Sequence, residues 1–474
     1  MSFTRRTFLL GAASGLSVLV LAACTDSTPV PSPTPTPTEP TNELPVPTSF
    51  SRSNWASDPY ALGATSYLAV GALPQSREWL RNPVLNRIFL AGEAISDEPG
   101  TIRGAIDSGR SAAREVLSVV GDGERVAVIG AGASGARAAR LLASNGVDVV
   151  VIEARDRTGG RIDSRVENNE FFELGAWRLA ATDDADLVEM LASEDVAVEP
   201  LANSSAYALR EADAPAELAS DNPALAAAVD SLDTAAVWAR QQPQDVSLTD
   251  AVTEGGSPDS WPASGVTGVT PDLLTGQLIA AVSSLTGADP TDLSSWFSAF
   301  PSGTESVVPT GPLSTIVDTA LDGIDTFLSS TVVGIFYDDD GVSLRLGTGE
   351  SLTVDRVVVT VPLGVLQEQV IEFDPPLPVA HRGAIGALSV GHLEVIRLEY
   401  ETAFWDTDAV WWVREDRAED DPIQFWVNLQ PATGRPVLLG IVAGEAAVTL
   451  ADVGDDALLE MAQKSLEPFV PPAT

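Results

Sequence analysis

One stretch, Glu124–Arg165, constrains the fold more than any other part of the sequence. It begins with Arg125–Ile129, which is mostly apolar and β-branched, as a strand buried in a parallel sheet should be. Gly130, Gly132 and Gly135 follow in G-x-G-x-x-G spacing. In a strand–turn–helix unit the first glycine permits the tight turn, the second lets a pyrophosphate approach the backbone, and the third lets the helix pack closely on the strand.

The continuation of this stretch completes a dinucleotide-binding pattern. We predict a helix over Ser134–Asn145, whose N-terminus directs free N–H groups at phosphates, and a second strand over Asp148–Ile152. Glu153 ends that strand, at about the distance from Gly135 expected of a carboxylate that binds the adenosine ribose. The alternative is an ordinary glycine-rich turn with a surface glutamate. The strand, the helix and the acidic residue together favour dinucleotide binding.

The residues after Glu153 favour FAD over a nicotinamide cofactor. Arg155 and Arg157 precede Gly159-Gly160-Arg161, and this E-x-R-x-R-x-G-G-R pattern resembles the flavin-containing amine oxidase family, which includes monoamine and polyamine oxidases, histone lysine demethylases and L-amino acid oxidases. The resemblance implies that Glu153 holds the ribose and that Arg155 and Arg161 flank FAD. A nicotinamide dehydrogenase is the alternative, but it leaves the G-G-R tripeptide unexplained.

Two further motifs that resemble the family precede the glycine-rich stretch, whereas the family has them at the end of the chain. Phe89–Ala94 reads FLAGEA, and Pro99–Ala105 reads PGTIRGA. We predict a strand over Arg87–Ala91 and a helix over Thr101–Leu117, whose small residues allow close packing and whose N-terminus faces the cofactor. The resemblance implies that Glu93 hydrogen-bonds a ribityl hydroxyl; the alternative is that Glu93 caps its own turn.

Three later segments also resemble the family. Phe171–Ala180 resembles the loop at the flavin edge, Thr331–Ile335 contains a position that contacts adenine, and Arg356–Leu366 resembles a strand and crossover reading VVVTVPLGVL. The residues that the resemblance places at FAD are Gly92, Glu93, Thr101, Ile102, Ala105, Gly130, Gly132, Ala133, Ser134, Gly135, Glu153, Arg155, Arg161, Gly175, Ala176, Trp177, Arg178 and Val332. Because the only cysteine is Cys24, before the fold begins, we predict that FAD is bound non-covalently.

The substrate pocket is less defined by the sequence. L-amino acid oxidases carry an arginine at the place of Arg178 that pairs with the substrate carboxylate; the alternative is a surface arginine that balances Asp183 and Asp184. The family's lysine that holds a water at flavin N5 is replaced by Val395, and its aromatic residue beside Pro99 by Glu98. The pocket candidates are Trp55, Glu98, Trp177, Arg178, His392 and Trp405, although a histidine such as His392 in a strand also occurs as a packing or surface residue.

The resemblance implies that the protein oxidises a C–N bond of an amine. The amine gives a hydride to flavin N5, the imine hydrolyses, and O₂ accepts the electrons to give H₂O₂. An L-amino acid oxidase and a non-catalytic flavin-binding lipoprotein are the alternatives. With two histidines in the chain, we expect no catalytic triad and no metal site. The net charge of −40 argues against nucleic acids and anionic surfaces as partners. The resemblance implies a small amine or amino acid as the partner.

The first residues predict export and a lipid anchor. Thr4–Leu9 is a twin-arginine signature, an apolar run follows, and Leu21–Cys24 has the form of a lipoprotein cleavage site. An N-terminal membrane anchor is the alternative, but the apolar run is short for a span. We expect the protein on the outer face of the cell membrane, with Cys24 lipidated and a Pro- and Thr-rich tether over residues 25–48.

The predicted fold class is α/β, with a Rossmann-like FAD-binding domain and a second α+β substrate domain. The boundaries we expect are a signal peptide over 1–24, the tether over 25–48, FAD-binding segments over 49–182 and 301–370, and substrate-domain segments over 183–300 and 371–474. The motif order predicts a circular permutation of the amine oxidase fold, in which Val119–Glu124 joins the old termini. Thr474 should then lie near Ser49–Asn54, because the family chain continues from one to the other.

Overall fold

The computed structural model describes residues 44–167, 170–181, 184–201, 207–211, 214–218, 221–266, 269–297, 306–414 and 421–470. The predictions for Arg5, Arg6, Cys24, Asp183 and Thr474 lie outside the described residues.

The strands of the described chain are β1 (Ser49–Arg52), β2 (Thr65–Tyr67), β3 (Ile88–Leu90), β4 (Arg125–Ile129), β5 (Asp148–Ile152), β6 (Ser164–Glu167), β7 (Glu170–Glu173), β8 (Leu179–Ala180), β9 (Val198–Leu201), β10 (Tyr207–Glu211), β11 (Ala214–Leu218), β12 (Ser306–Pro309), β13 (Asp325–Phe327), β14 (Val332–Tyr337), β15 (Val342–Leu346), β16 (Ser351–Val354), β17 (Arg356–Val359), β18 (Glu372–Asp374), β19 (Ser389–Gly391), β20 (Leu393–Glu399), β21 (Trp411–Arg414), β22 (Phe425–Asn428) and β23 (Val437–Ala443). The α-helices are α1 (Gln75–Leu80), α2 (Ile102–Val119), α3 (Ala133–Ser144), α4 (Ala185–Ser193), α5 (Pro223–Ala239), α6 (Leu248–Asp250), α7 (Pro271–Thr286), α8 (Thr315–Leu321), α9 (Leu363–Gln367), α10 (Val379–Ala387), α11 (Gln430–Thr433), α12 (Glu445–Leu450) and α13 (Asp455–Leu466).

A parallel sheet contains the glycine-rich stretch. Its strand order is β13-β5-β4-β17-β3, and every neighbouring pair is parallel. Strands β4 and β5 have the predicted bounds, and each buries all residues but its first. Apolar residues can fill both faces of these strands because packed elements cover the sheet on both sides. The predicted α/β fold class is confirmed.

Helices α2 and α3 pack against each other on one face of this sheet. The side chain of Thr101 accepts a hydrogen bond from the backbone N–H of Gly104 and caps α2. Helix α2 therefore begins one residue after the predicted start. A Cβ atom on Gly109 would lie 2.1 Å from the backbone oxygen of Ser134. The small residues of α2 are therefore required by its close approach to the first turn of α3.

A second, seven-stranded sheet has the order β1-β20-β23-β22-β21-β10-β11. Its pairs are antiparallel except β10 with β21, which are parallel. One core cluster joins this sheet to α5 and α7, and another joins it to α12 and α13. Smaller sheets, β8-β12-β9, β16-β15-β14-β18, β19-β2 and β6-β7, complete the described strands.

Helices α5 and α7 form the helical wall of the second part. Asn222 caps α5 and Thr270 caps α7, and a proline occupies the first turn of each helix. Both helices therefore begin at start signals that are present in the sequence.

The segment Val119–Glu124 connects α2 directly to β4. Arg356 of β17 holds this segment: its guanidinium donates to the backbone oxygens of Val119 and Asn86 and forms an ion pair with Glu124, whose Oε2 lies 2.8 Å from Nε. Leu44 and Phe50, near the start of the described chain, share a core cluster with Phe469 near its end. Within the described ranges, no helix combines the length and apolar character that a membrane crossing requires.

Candidate active site

A cavity of about 1140 Å³ runs from the parallel sheet to the seven-stranded sheet. Every residue that we predicted at FAD lines it, except Gly135. We call the part around Gly130, Ser134 and Glu153 the glycine-rich end, and the part around Trp177, Arg178 and Trp411 the aromatic end. Residues of elements that are far apart in the sequence line this cavity. These elements are β4, β14, α5, α7, β20, β21 and β22.

Each of the three glycines of the turn is subject to a different structural constraint. Gly130 has a φ of +104°, which favours glycine. A Cβ atom on Gly135 would lie 1.9 Å from the oxygen of Gly130, so Gly135 lets α3 pack on the turn and does not reach the cavity. A Cβ atom on Gly132 would meet only ordinary contacts, the nearest at 3.7 Å from the oxygen of Gly159. The described protein atoms would therefore leave room for a side chain at position 132.

The start of α3 fits a phosphate group. No side chain caps this helix, whose N-cap residue is Gly132, so its first N–H groups face the cavity without a side-chain acceptor. The Oγ atom of Ser134 is buried and has no hydrogen-bond partner within the described chain. An unpaired hydroxyl beside free N–H groups and the positive end of a helix dipole suits an anion. These residues would hold the pyrophosphate of FAD.

Glu153 ends β5 at the same place. Its Oε2 accepts a hydrogen bond from the backbone N–H of Ala131 and its Oε1 from that of Arg155, both at 2.8 Å. A carboxylate has further lone pairs, which remain for ribose hydroxyls. The Arg155 guanidinium forms an ion pair with Asp58 at 2.6 Å and lies 5.4 Å from the ring centroid of Tyr60. Arg155 thus fastens the segment with Asp58 and Tyr60 beside the cavity.

Glu93 is buried at the centre of a polar network. Its carboxylate forms an ion pair with Arg161 at 3.0 Å and accepts hydrogen bonds from Ser66 Oγ and the backbone N–H of Gly100, both at 2.8 Å. Burial opposes ionisation, but the charges of Arg161 and Arg77 and these hydrogen bonds lower the pKa of Glu93 overall. Glu93 therefore lines the cavity and also holds its own turn through the N–H of Gly100, while its hydrogen bond to a ribityl hydroxyl stays a prediction.

The aromatic end contains a cation without a carboxylate partner. The Arg178 guanidinium carbon lies 5.2 Å from the ring centroid of Trp177 and 5.8 Å from that of Trp411. Across the described ranges, no carboxylate forms an ion pair with it. Burial lowers the pKa of Arg178 to about 10, so the side chain stays charged at neutral pH. The other residues of this end are largely apolar: Leu218, Leu225, Val229, Leu273, Leu274, Leu278, Val395, Val413 and Phe425.

Two of the six pocket candidates lie away from the cavity. His392 lies between β19 and β20 and does not line the cavity, whereas Leu393 and Val395 of β20 do. Burial lowers the pKa of His392, although Glu445 and Asp289 oppose this shift. Trp405 is buried in an aromatic cluster with Phe404 and Trp412 on the far face of the seven-stranded sheet. The expectation that these two residues line the pocket is wrong.

The remaining pocket candidates do line the cavity. Trp55 donates from Nε1 to the backbone oxygen of Leu174 at 3.2 Å, which fixes the ring. Glu98 is a half-exposed rim residue that forms an ion pair with Arg103. Arg77, a buried cavity residue, was missed, because no motif marks it. No cluster of His, Asp or Glu side chains suited to a metal ion occurs in the part of the chain that the structure describes.

Comparisons with known proteins show the family of this chain. The family model for flavin containing amine oxidoreductase matches residues 36–117 and 133–474. Polyamine oxidase 3 of Oryza sativa subsp. japonica is 27% identical over 366 residues, covering 73% of each chain. Human lysine-specific histone demethylase 2 is 27% identical over 369 residues, covering 72% of this chain and 43% of that protein.

Solved structures show the same fold. A putrescine oxidase with bound putrescine superposes with a TM-score of 0.58 at 20% identity, over 74% of this chain and 82% of its own. Cyclohexylamine oxidase from Brevibacterium oxydans superposes with a TM-score of 0.57 at 19% identity, over 73% and 82% of the two chains. With the glycine-rich turn, the G-G-R tripeptide and the Glu93 network arranged around one cavity, and a family model that matches most of the sequence, the chain belongs to the flavin containing amine oxidoreductases and is a flavin-dependent amine oxidase.

Proposed function

We propose that this amine oxidase acts on an amine that also carries a carboxylate, an L-amino acid being the simplest case. Arg178 is the observation that carries the proposal. A cation in a largely apolar cavity without an ion pair is unfavourable, and a substrate carboxylate would offset that cost. The two tryptophans beside it limit the guanidinium's freedom, which suits two parallel hydrogen bonds to one carboxylate.

The proposed reaction converts the amine to an imine. FAD, when bound, supplies a two-electron acceptor for the hydride that leaves the α-carbon. The imine then takes up water and yields a carbonyl compound and ammonia, while O₂ takes the two electrons and becomes H₂O₂. The chain's residues orient the substrate: Arg178 fixes one end, and the apolar residues of α5 and α7 exclude water from the reacting carbon.

A polyamine is the second candidate. The curated relatives include polyamine oxidases, and the carboxylates of Asp230 and Glu98 line the cavity. A cationic chain would gain from these carboxylates and from the net charge of −40, but it would be repelled by Arg178. The two candidates therefore predict opposite effects of removing that arginine.

The test measures peroxide release by the purified holoenzyme across L-amino acids, simple amines and polyamines, together with anaerobic bleaching of its visible spectrum. For an amino acid substrate, Arg178→Ala should raise KM by about 10- to 150-fold, the equivalent of roughly 1.5–3 kcal/mol for charge-assisted hydrogen bonds, and should leave simple amines nearly unaffected. Arg165→Ala, which removes an exposed arginine paired with Asp163, is the matched control. Equal effects on both classes, or faster turnover of polyamines by Arg178→Ala, would reject the carboxylate site.

The state of FAD and the electron acceptor are also part of the proposal. Non-covalent binding is supported because neither His381 nor His392 lines the cavity and Cys24 precedes the fold. Acid precipitation should release all of the yellow chromophore, and flavin retained in the pellet would contradict this. Val395 occupies the place of the family's lysine and lines the cavity, so O₂ and an artificial dye should be compared as acceptors. Turnover with the dye but not with O₂ would show that O₂ is not the electron acceptor.

Export and lipidation remain proposals that rest on the first 24 residues. Cys24→Ser should release the protein from membrane fractions or block its processing, and replacing Arg5 and Arg6 by lysine should retain it in the cytoplasm. An unprocessed cytoplasmic wild type would contradict both.

We also propose that the chain is a circular permutant of the family fold. Support comes from β3, which precedes β4 in the chain yet lies beside β17 in the same sheet, and from the ion pair of Glu93 with Arg161. The short connection Val119–Glu124, held by Arg356, would be the joint. A chain reopened at Gly121–Gly123 and rejoined through a linker between Val470 and Leu44 should still bind FAD. Loss of folding with every linker length would contradict the permutation.

A further inference from the structure

Arg77 is a buried cation in the cavity wall for which the proposed reaction has no role. Its side chain is 5% exposed and lines the cavity beside Ser66 and Glu93. Its Nη1 donates to Ser66 Oγ at 2.9 Å and to the backbone oxygen of Ala94, whereas its Nη2 is buried without a hydrogen-bond partner in the described chain. A buried N–H group of this kind normally has an acceptor. Because Nη2 is not exposed to the cavity, Arg77 would act on a bound ligand through its charge and not through a hydrogen bond from this atom.

The charges around Arg77 do not cancel. Glu93 lies between two guanidinium groups, those of Arg77 and Arg161, and Ser66 links it to Arg77 by accepting from the arginine and donating to the carboxylate. One carboxylate and two arginines leave one positive charge inside the protein. A fixed charge acts strongly in such surroundings, because little water screens it.

The neighbouring acidic residues on the cavity rim do not neutralise this charge. Asp97 and Glu98 have side chains that are 86% and 42% exposed, and each forms an ion pair with its own arginine, Arg81 and Arg103. The chain's single lysine, Lys464, lies on α13 and does not line the cavity. The excess charge therefore stays with Arg77, Glu93 and Arg161.

We propose that Arg77 gives this part of the cavity a net positive charge that stabilises the bound flavin in its reduced, anionic state. The inference rests on the proposed function in that FAD must bind in this cavity. Oxidation of the amine breaks its α C–H bond, and the flavin gains a hydride, that is two electrons and one proton, and with it one negative charge. A preorganised cation favours the state in which that charge has developed. Arg77 thereby makes hydride transfer to the flavin more favourable.

The test is the midpoint potential of the purified holoenzyme, measured by reduction against a reference dye without any substrate. Arg77→Met removes the charge and keeps much of the side chain's length, and Arg77→Lys keeps the charge. We expect Arg77→Met to weaken binding of reduced relative to oxidised flavin at least tenfold, which is a fall of about 30 mV for a two-electron couple. Arg77→Lys should lose less than half of that.

Arg345→Gln is the matched control, because Arg345 forms an exposed ion pair with Glu372 and neither residue lines the cavity. Its potential should equal that of the wild type. The dissociation constant of sulfite, which forms an anionic adduct with oxidised flavin, is a second readout and should rise about tenfold in Arg77→Met.

Three results would overturn the proposal. The first is an unchanged potential and sulfite affinity in Arg77→Met. The second is an equal fall in Arg77→Met and Arg77→Lys, which would show that shape and not charge is lost. The third is loss of flavin from both variants, which would make Arg77 an anchor for Glu93 only. A wild-type protein that binds no flavin would instead overturn the proposed function itself.

Discussion

The two ends of the cavity are built from different parts of the chain. At the glycine-rich end, the groups that face the cavity are largely backbone atoms and short side chains of a single continuous unit, β4–α3–β5. At the aromatic end they are long side chains from α5, α7, β20, β21 and β22, which are far apart in the sequence. A substitution at the first end therefore disturbs backbone geometry, and one at the second end changes the chemistry of the pocket.

Electrostatics differ in the same way. The carboxylates Glu93 and Glu153 near the glycine-rich end have charged or N–H partners at close distance. At the aromatic end, Arg178 has two tryptophan rings and no ion pair with a described residue. The carboxylates of the first end have protein partners, and a ligand would contact their remaining lone pairs and the free N–H groups at the start of α3. The second end has a charge that a substrate would satisfy.

The largest effect that we expect separates two glycines of the same turn. In Gly135→Ala, the new methyl group would sit 1.9 Å from the oxygen of Gly130, and neither backbone segment can move away without breaking the turn. We expect a loss of about 3 kcal/mol or more in the free energy of unfolding, even without FAD. Urea unfolding of the flavin-free protein measures this loss.

Gly132→Ala is the matched variant. Its φ of −83° suits alanine, and the nearest atom to its new Cβ lies at 3.7 Å. The flavin-free protein should therefore unfold like the wild type, while FAD binding weakens because the methyl group occupies the space of the pyrophosphate. If Gly132→Ala destabilises the flavin-free protein as much as Gly135→Ala, then Gly132 is needed for folding and not only for FAD binding.

A buried glutamate beside the substrate pocket should make stability depend on pH. Glu394 lies on β20 next to Val395, and its carboxyl group accepts hydrogen bonds from Ser53 Oγ and from the backbone N–H of Ala56 at 3.0 Å. Burial raises the pKa of Glu394 to about 7, although these hydrogen bonds, one from the N–H of Trp55 and the charge of Arg52 oppose the shift.

The sign of this dependence follows from the two pKa values. The unfolded chain releases this proton near pH 4.5 and the folded chain near pH 7, so the wild type loses stability as pH rises through this window, by roughly 3 kcal/mol. Glu394→Gln stays neutral, and its amide can donate to Ser53 Oγ. Its advantage over the wild type should grow from pH 4.5 to 7.5 in urea unfolding. Glu460→Gln, on an exposed part of α13, should show no such trend; a constant difference for Glu394→Gln would contradict the prediction.

The contrast between the ends explains what the sequence could predict. The glycine spacing, β4, β5, α2 and the residues that line the glycine-rich end could be predicted, because a backbone turn needs particular residue types in a fixed local order. Arg77 could not be predicted, because its role depends on contacts with Ser66 of β2 and with the turn of Glu93. His392 and Trp405 were misplaced because the sequence does not indicate which residues beside the strands of the large sheet face the cavity.

The smallest expected effect concerns Glu153, a carboxylate of the glycine-rich end that already has two protein partners. Glu153→Ala removes the acceptor for two backbone N–H groups and for a ribose hydroxyl. We expect FAD binding to weaken by roughly 1.5–3 kcal/mol, as for a lost charge-assisted hydrogen bond, measured by fluorescence titration of the flavin-free protein. Glu98→Gln, at the rim, is the control and should bind FAD like the wild type. Glu153→Ala protein that is destabilised but binds FAD normally would show that this carboxylate serves only the turn, and the ribose contact would have to be given up.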